Sequence, residues 1–297
     1  VHVIPQPDGT LIIEPMGGNK GSREMVLNVG DEFGDVLERK LIAAYLGGSE
    51  RIKVVGSPIQ SQQKKVIRGV CQRLIGPEII EESADMVMIQ DILNPLEMPI
   101  RKSMLRMSMI VDSMQADSIH ALITGDVDLA QDVVGRDDDV DRLYLLIAKQ
   151  FRSILKDRTF QDNDDISIER RFDLRLCALS LERIADHAQK IAKIAVESGD
   201  MSIPVSMETH LKSLCETTRR MVRDSVSALN TLDTTLANSA MEQKSAVEHE
   251  IALLEKSVFN AEYEVALSLG IITDSMGRIA DYATNIAEVA INSAVLA

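Results

Sequence analysis

Two stretches decide how this chain folds: Ser180-Leu-Glu-Arg-Ile-Ala-Asp-His-Ala-Gln-Lys-Ile-Ala192 and Ser275-Met-Gly-Arg-Ile-Ala-Asp-Tyr-Ala-Thr-Asn-Ile-Ala287. They align without a gap at a constant offset (281 − 186 = 95, 278 − 183 = 95). A gapless match containing Arg-Ile-Ala-Asp-x-Ala-x-x-Ile-Ala implies a duplicated unit of about 95 residues. Within each copy the alanines recur at helical spacing: 178, 185, 188, 192 and 195 in the first, 280, 283, 287, 290 and 294 in the second. Small residues at that spacing let helices approach closely, so we read them as packing positions.

Outward from these stretches, helical periodicity dominates residues 98–297. Pro99 can open a helix to about Ile123, with Met104, Met107, Met109 and Met114 read as core. Gly125 breaks it, and Asp126 begins a second helix to about Lys156. A polar loop at 157–165 precedes a third from about Ile166 to Ser198. After the break at Gly199–Pro204 come three further helices: about Ser206–Leu236, Ser239–Leu267 and Gly270–Leu296. Isolated helices need an apolar face to bury, and short connections favour antiparallel neighbours. The expected architecture is mainly α, two tandem three-helix bundles.

The first 94 residues differ. Val1–Ile4 and Thr10–Glu14 flank Pro7-Asp-Gly9, a hairpin signature, and a glycine-rich loop follows at 17–21. Strands at about 25–29, 51–55, 78–81 and 86–90 alternate with helices at Asp35–Tyr45 and Ser61–Leu74, which suggests a small α/β domain. The chain opens at Val1 inside a strand, so we expect further residues upstream.

Composition narrows the classes of function. The net charge of −14 argues against broad attraction to nucleic acid or anionic membranes. Aromatics are 3% with no Trp, so the core must be aliphatic. Three scattered cysteines, Cys71, Cys177 and Cys215, suit a reducing, cytoplasmic setting rather than a disulfide framework. No apolar run reaches the roughly 18 residues of a membrane span, and no signal peptide is seen. The chain has no P-loop, nucleophile elbow or kinase signature. The basic cluster Lys64, Lys65, Arg68 and Arg73 reads as a solvated helix face.

Residues four apart share a helix face, so Glu182 and Asp186 project together, and so do Asp137 and Asp141, with Asp138 beside them. If the second and third helices are neighbours, four or five carboxylates converge. Such repulsion calls for a cation or a shared proton. Oxygen-only ligands favour Mg, Ca, Mn or Fe ions. The bland alternative is a solvated acidic face paired with Arg136, Arg142 and Arg183. In the second copy we align Glu248 with Asp137, Ala252 with Asp141 and Gly277 with Glu182, which leaves Glu248, Asp281 and Asn285 as a weaker set. His187 and His249 are read as structural.

Leu-Glu-Arg-Ile-Ala-Asp followed by Ile-Ala, ending a doubled three-helix repeat, resembles the PhoU family, marked by an E/D-x-x-x-D motif on the third helix. Glu182 and Asp186 match that motif, as do Asp281 and Asn285 in the second copy. The opening resembles archaeal-type PhoU-related proteins, in which it forms the tail of an AbrB/SpoVT-like DNA-binding domain. The resemblance implies a division into 1–15 (hairpin remnant), 16–94 (α/β), 95–200 and 201–297 (the two repeats). It also implies metal at the acidic motifs and a non-catalytic regulator of phosphate uptake. The implied partners are phosphate ABC transporter components or a sensor kinase, with a homodimer as the expected assembly. One alternative is a DNA-binding regulator acting through the upstream domain. Another is a carboxylate-bridged metal enzyme, although the Glu-x-x-His pairs of ferritin-like sites are missing.

Overall fold

The computed structural model describes residues 2–5, 9–14, 24–93, 98–156, 166–199, 203–258 and 262–296. The expected loops at 17–21 and 157–165 lie outside them. The chain divides into two compact units, Val1–Leu93 and Asn94–Ala297.

In the first unit, β1 (His2–Pro5) and β2 (Leu11–Glu14) pair as an antiparallel hairpin, Val3 opposite Ile13. A separate four-stranded sheet has the order β3-β4-β6-β5, built from β3 (Glu24–Asn28), β4 (Arg51–Val55), β5 (Pro77–Glu82) and β6 (Met86–Asp91). Only β3 and β4 run parallel, and α1 (Gly34–Leu46) makes the crossover that a parallel pair requires. α2 (Ser61–Arg73) links β4 to β5. Leu37, Leu41 and Tyr45 of α1 and Ile67 of α2 form the core with Ile52, Val54, Val87 and Ile89, the alternate residues of the central strands. Gln63 is fully buried yet satisfied: its Nε2 donates to the carbonyls of Gly30 and Glu32, and its Oε1 accepts from Gln60 N. Gly76 sits at φ +104°, and a Cβ there would collide with the Asp91 carboxylate.

The second unit is helical. Its first trio is α3 (Ile100–Thr124), α4 (Val127–Lys156) and α5 (Ile168–Ser198), all in mutual contact. The second consists of α6 (Val205–Thr231), then α7 (Thr234–Glu242) and α8 (Lys244–Val258), then α9 (Tyr263–Leu296). α5 packs on α9 and α3 on α6, which joins the trios. Arg219 clamps Asp112 across the α3–α6 contact at 3.1 and 2.8 Å. His187 and Tyr282, equivalent at the 95-residue offset, face each other with ring centroids 6.0 Å apart, so equivalent positions of the two repeats meet where α5 packs on α9. Ala178, Ala185, Ala188 and Ala192 are buried, as are Ala280, Ala283, Ala287 and Ala290.

Four expectations need correction. The fourth and fifth helices do not run to Leu236 and from Ser239 to Leu267: α6 ends at Thr231, the next helix starts at Thr234, is split at Gln243 into α7 and α8 and ends at Val258, and Leu267 belongs to α9. Gly270 does not begin a helix. It lies inside α9, where burial of Leu269, Ile272 and Thr273 offsets its propensity cost of about 1 kcal/mol. Met109 is 66% exposed and is not core, because two residues from Met107 is the opposite helix face.

The two α-turns between first and second helices are equivalent. Gly125 (φ +67°) takes the left-handed conformation, and Asp126 Oδ1 caps α4 by accepting from Leu129 N at 3.0 Å. In the second trio Leu232 (φ +58°) and Asp233, which accepts from Leu236 N at 3.0 Å, do the same. Here the offset is 107 (232 − 125), not 95.

Candidate functional site

The acids of the first trio gather where α4 packs on α5. Val140 and Leu143 bury one face of α4, and this carries Asp137 inward to 8% exposure. Asp137 Oδ2 accepts from Gln189 Nε2 at 2.7 Å, an amide that also reaches the Val134 carbonyl. On α5 the inward Leu181, Ile184 and Ala185 set Glu182 and Asp186 toward the same place. The Glu182 side chain is only 15% exposed. Arg183 Nε is 3.3 Å from Glu182 Oε2 without hydrogen-bonding alignment, so that buried oxygen has no hydrogen-bond donor. Arg183 Nη1 donates instead to Asp186 Oδ2 at 3.1 Å.

Burial pushes the Asp137 carboxyl up to about 7, and the charges of Asp141 and Asp186 add to it, while Lys193 opposes. Burial likewise pushes Glu182 up to about 7, with Asp186, Asp141 and Asp137 contributing and Arg183 opposing. Asp137, Asp141, Glu182 and Asp186 are thus one electrostatic group, while Asp138 is exposed and acts only weakly on Asp137. As they stand, no three acidic, imidazole or thiol side chains among the described residues converge closely enough to hold a metal ion. The donor set nevertheless suits a hard cation: all oxygen, in excess of its counter-charges, with one buried oxygen lacking a donor. The arginines proposed as neutralising partners are mostly engaged elsewhere, Arg136 with Asp117 and Asp132, and Arg142 with Asp139.

The second trio requires a change of register. Arg136 Nη2 meets Asp117 Oδ2 at 2.7 Å, and Gln243 Nε2 meets Asp224 Oδ2 at 3.3 Å. Both residues of the pair are displaced by 107 (243 − 136, 224 − 117). The buried pairs Val140/Val247 and Ile147/Leu254 keep the same offset. Asp137 therefore corresponds to Lys244, and Asp141 to Glu248, not to Ala252 as the sequence alignment expected. The offset falls from 107 to 95 beyond this helix because the α4–α5 segment is longer. Eleven residues separate α4 from α5 and four separate α8 from α9, a difference of seven, and α4 runs five residues past the position equivalent to the end of α8 (258 − 107 = 151), which makes up the twelve.

Lys244 Nζ lies 2.9 Å from Asp281 Oδ1, and Arg278 is 3.7 Å from Oδ2 of the same group. The bond to Asp281 raises the Lys244 pKa, with Glu248 and Glu288 adding to it. The ammonium thus pairs with Asp281, Glu248 is exposed and lines the same cleft, and Asn285 is exposed. A cleft of about 480 Å³ opens beside them, where Gly270 and Gly277 carry no side chains. Sequence reasoning missed Gln189, Lys193 and Lys244. The last was hidden because the repeat was tracked at the single offset of the third helices.

His187 is half-buried against Tyr282, and burial holds its pKa down; His249 is exposed. Among the described residues no helix is long and apolar enough to cross a membrane.

Fold and site together define a class: an internally duplicated three-helix bundle with an acid group between the second and third helices of one copy. The pattern of the PhoU domain matches residues 104–195 and 211–290. The chain belongs to the PhoU domain family. It is 29% identical over 198 residues to a phosphate-specific transport system accessory protein PhoU homolog from Pseudomonas aeruginosa, covering 65% of this chain and 81% of that one. The homolog from Pseudomonas putida is 28% identical over 198 residues, covering 65% and 76%. The crystal structure of PhoU from Pseudomonas aeruginosa superposes with TM-score 0.59 at 24% identity, over 67% of this chain and 96% of that one. The phosphate transport system regulatory protein PhoU from Streptococcus pneumoniae gives 0.56 at 17% identity, over 65% and 92%, a likeness of fold.

Proposed function

We propose that this chain is a non-catalytic regulator of phosphate uptake and phosphate signalling, acting through contacts with a phosphate transporter or its sensor. The observation that carries this reading is the doubled three-helix unit, both copies of which match the PhoU domain. The names of the relatives place those proteins in phosphate-specific transport. Thiol-based catalysis is disfavoured: burial pushes Cys71 up to about 11 and Cys215 up to about 12, and raises Cys177 as well, so none supplies a thiolate nucleophile near neutral pH. The test is phosphate uptake in a strain lacking the gene, at low and at high phosphate. Uptake that stays high when phosphate is plentiful is expected. Unchanged uptake in both conditions rules the reading out.

A second reading concerns the acid group. Asp137, Asp141, Glu182 and Asp186 of the first repeat hold a hard cation, which draws the four carboxylates together and neutralises them. The Glu182 oxygen without a donor favours it. Elemental analysis of Mn²⁺-loaded protein should show bound metal, and Asp137→Asn with Glu182→Gln should remove it. Absence of metal after loading with each of Mg²⁺, Ca²⁺, Mn²⁺ and Fe²⁺ refutes this reading.

A further inference from the structure

We propose that Lys244 is the resident cation of the second repeat, and that it excludes exogenous metal from the site formed by Glu248 and Asp281. The inference rests on the reading of the first repeat as a cation site, and its test below can succeed or fail separately. Four equivalent positions carry it. Where the first repeat has Asp137, Asp141, Glu182 and Asp186, the second has Lys244, Glu248, Gly277 and Asp281. Four negative charges become one positive and two negative, so a formal −4 becomes −1.

The geometry shows where the positive charge sits. Lys244 Nζ is 2.9 Å from Asp281 Oδ1, the place a metal ion would need in order to reach that carboxylate. The ammonium is a compact point charge, so it takes up this position as a small cation would. A second exchange accompanies the first. Lys193 of α5 acts on Asp137 in the first repeat, and Glu288, 95 residues on, acts on Lys244 in the second. The pair has kept its attraction with the signs reversed, so the positive charge on α8 is matched by its surroundings. Gly277 completes the difference. It deletes the carboxylate equivalent to Glu182, and a Cβ there would meet only Ile251 Cδ1 at 3.5 Å. Removing Lys244 alone leaves two acids, Glu248 and Asp281, lining the α8–α9 cleft. Replacing it with an acid gives three oxygen donors, two of them four apart on one helix face.

The test uses the full chain, stripped with chelator and titrated with Mn²⁺ by calorimetry, with melting curves to verify folding. The background is Asp137→Asn with Glu182→Gln, which silences the first repeat. In that background, Asp281→Asn should leave Mn²⁺ uptake unchanged, because Lys244 already holds the second site closed. Adding Lys244→Glu should create Mn²⁺ binding at least ten-fold tighter, and Asp281→Asn should abolish it again. Lys244→Gln separates loss of the ammonium from gain of the acid, and should give an intermediate affinity. The inference is overturned if the background protein binds Mn²⁺ in an Asp281-dependent way. It is equally overturned if the folded Lys244→Glu variant gains nothing. Should the wild-type chain bind no Mn²⁺, the first repeat does not hold that cation, while the Lys244→Glu gain still decides this inference.

Discussion

Replacing Asp137 with Asn should stabilise the metal-free protein, and by more as the pH rises. Asp137 is buried at 8% exposure, and its carboxyl is pushed up to about 7 by burial and by Asp141 and Asp186. In the unfolded chain the same group ionises near 4. Between about pH 4 and pH 7 the native state therefore binds more protons than the unfolded state, so stability falls as the pH rises through that window. Before relaxation, ionisation of Asp137 above pH 7 costs about 4 kcal/mol. Water penetration and side-chain adjustment reduce this, and about 2 kcal/mol is a sounder expectation. Asparagine keeps an oxygen to accept from Gln189 and carries no charge, so the cost disappears without loss of that bond.

For a unit the size of Asn94–Ala297, each kcal/mol corresponds to roughly 2–4 °C in Tm. Asp137→Asn should raise Tm by about 4–8 °C near pH 8 and by almost nothing near pH 4, followed by helical circular dichroism in the presence of chelator. Because Glu182 is coupled to Asp137, Glu182→Gln should behave similarly, and the double variant should gain less than the sum. A Tm difference between variant and wild type that does not change with pH would refute the electrostatic account of this site.

Leu232 occupies the left-handed turn position that Gly125 holds in the first trio, and it is 37% exposed, so Leu232→Gly should relieve about 1 kcal/mol of backbone strain and raise Tm by roughly 2–4 °C in a thermal melt. Ile184 is fully buried on the face of α5 that presents the acids, so Ile184→Ala should cost about 2–5 kcal/mol in chemical denaturation. Cys177 and Cys215 are buried while Cys71 is half-buried, so a thiol reagent should label Cys71 slowly in the native protein and the other two only after unfolding, as mass spectrometry of the labelled peptides will show.

Most of the helical unit was readable because its periodicity and caps agree. Gly125–Asp126 marks a left-handed C-cap followed by a side-chain N-cap, and the turn forms where those residues predict it. The third helices were readable for a different reason. Alanines at their contact positions cannot vary without opening a gap, so the duplicated pattern survives in the letters themselves. The second trio was harder. Leu232 gives no turn signal, and nothing local at Gln243 announces the division between α7 and α8. Gly270 gives a false signal, since its open position on α9 is compatible with a continuous helix whose neighbours are buried. The first acid group was legible from i, i+4 spacing, but spacing cannot supply burial, and burial is the main cause of the raised Asp137 and Glu182 values. Lys244 was out of reach. Its place depends on a 107-residue offset that the structure shows in the equivalent turns at Gly125 and Leu232 and in contacts such as Asp117–Arg136 and Asp224–Gln243.

The second repeat also serves as an internal control for the first. It preserves the features that hold the scaffold: the capped turn, the Asp224 contact, and the alanine stripe along α9. It shows that this scaffold accommodates a nearly neutral site by one lysine and one glycine at equivalent positions. Crowded acids are therefore not a requirement of the three-helix fold. In the first repeat Asp137 and Glu182 stand against their own burial, and Arg183 and Lys193 together do not restore their ordinary ionisation. A cluster that destabilises its own scaffold, beside a copy that avoids the same cost, is what a site built to receive a positive ligand requires. On the cation reading proposed for the first repeat, binding energy would offset a cost already built into the metal-free protein, and drawing the carboxylates of α4 and α5 together would couple occupancy to the packing of those two helices.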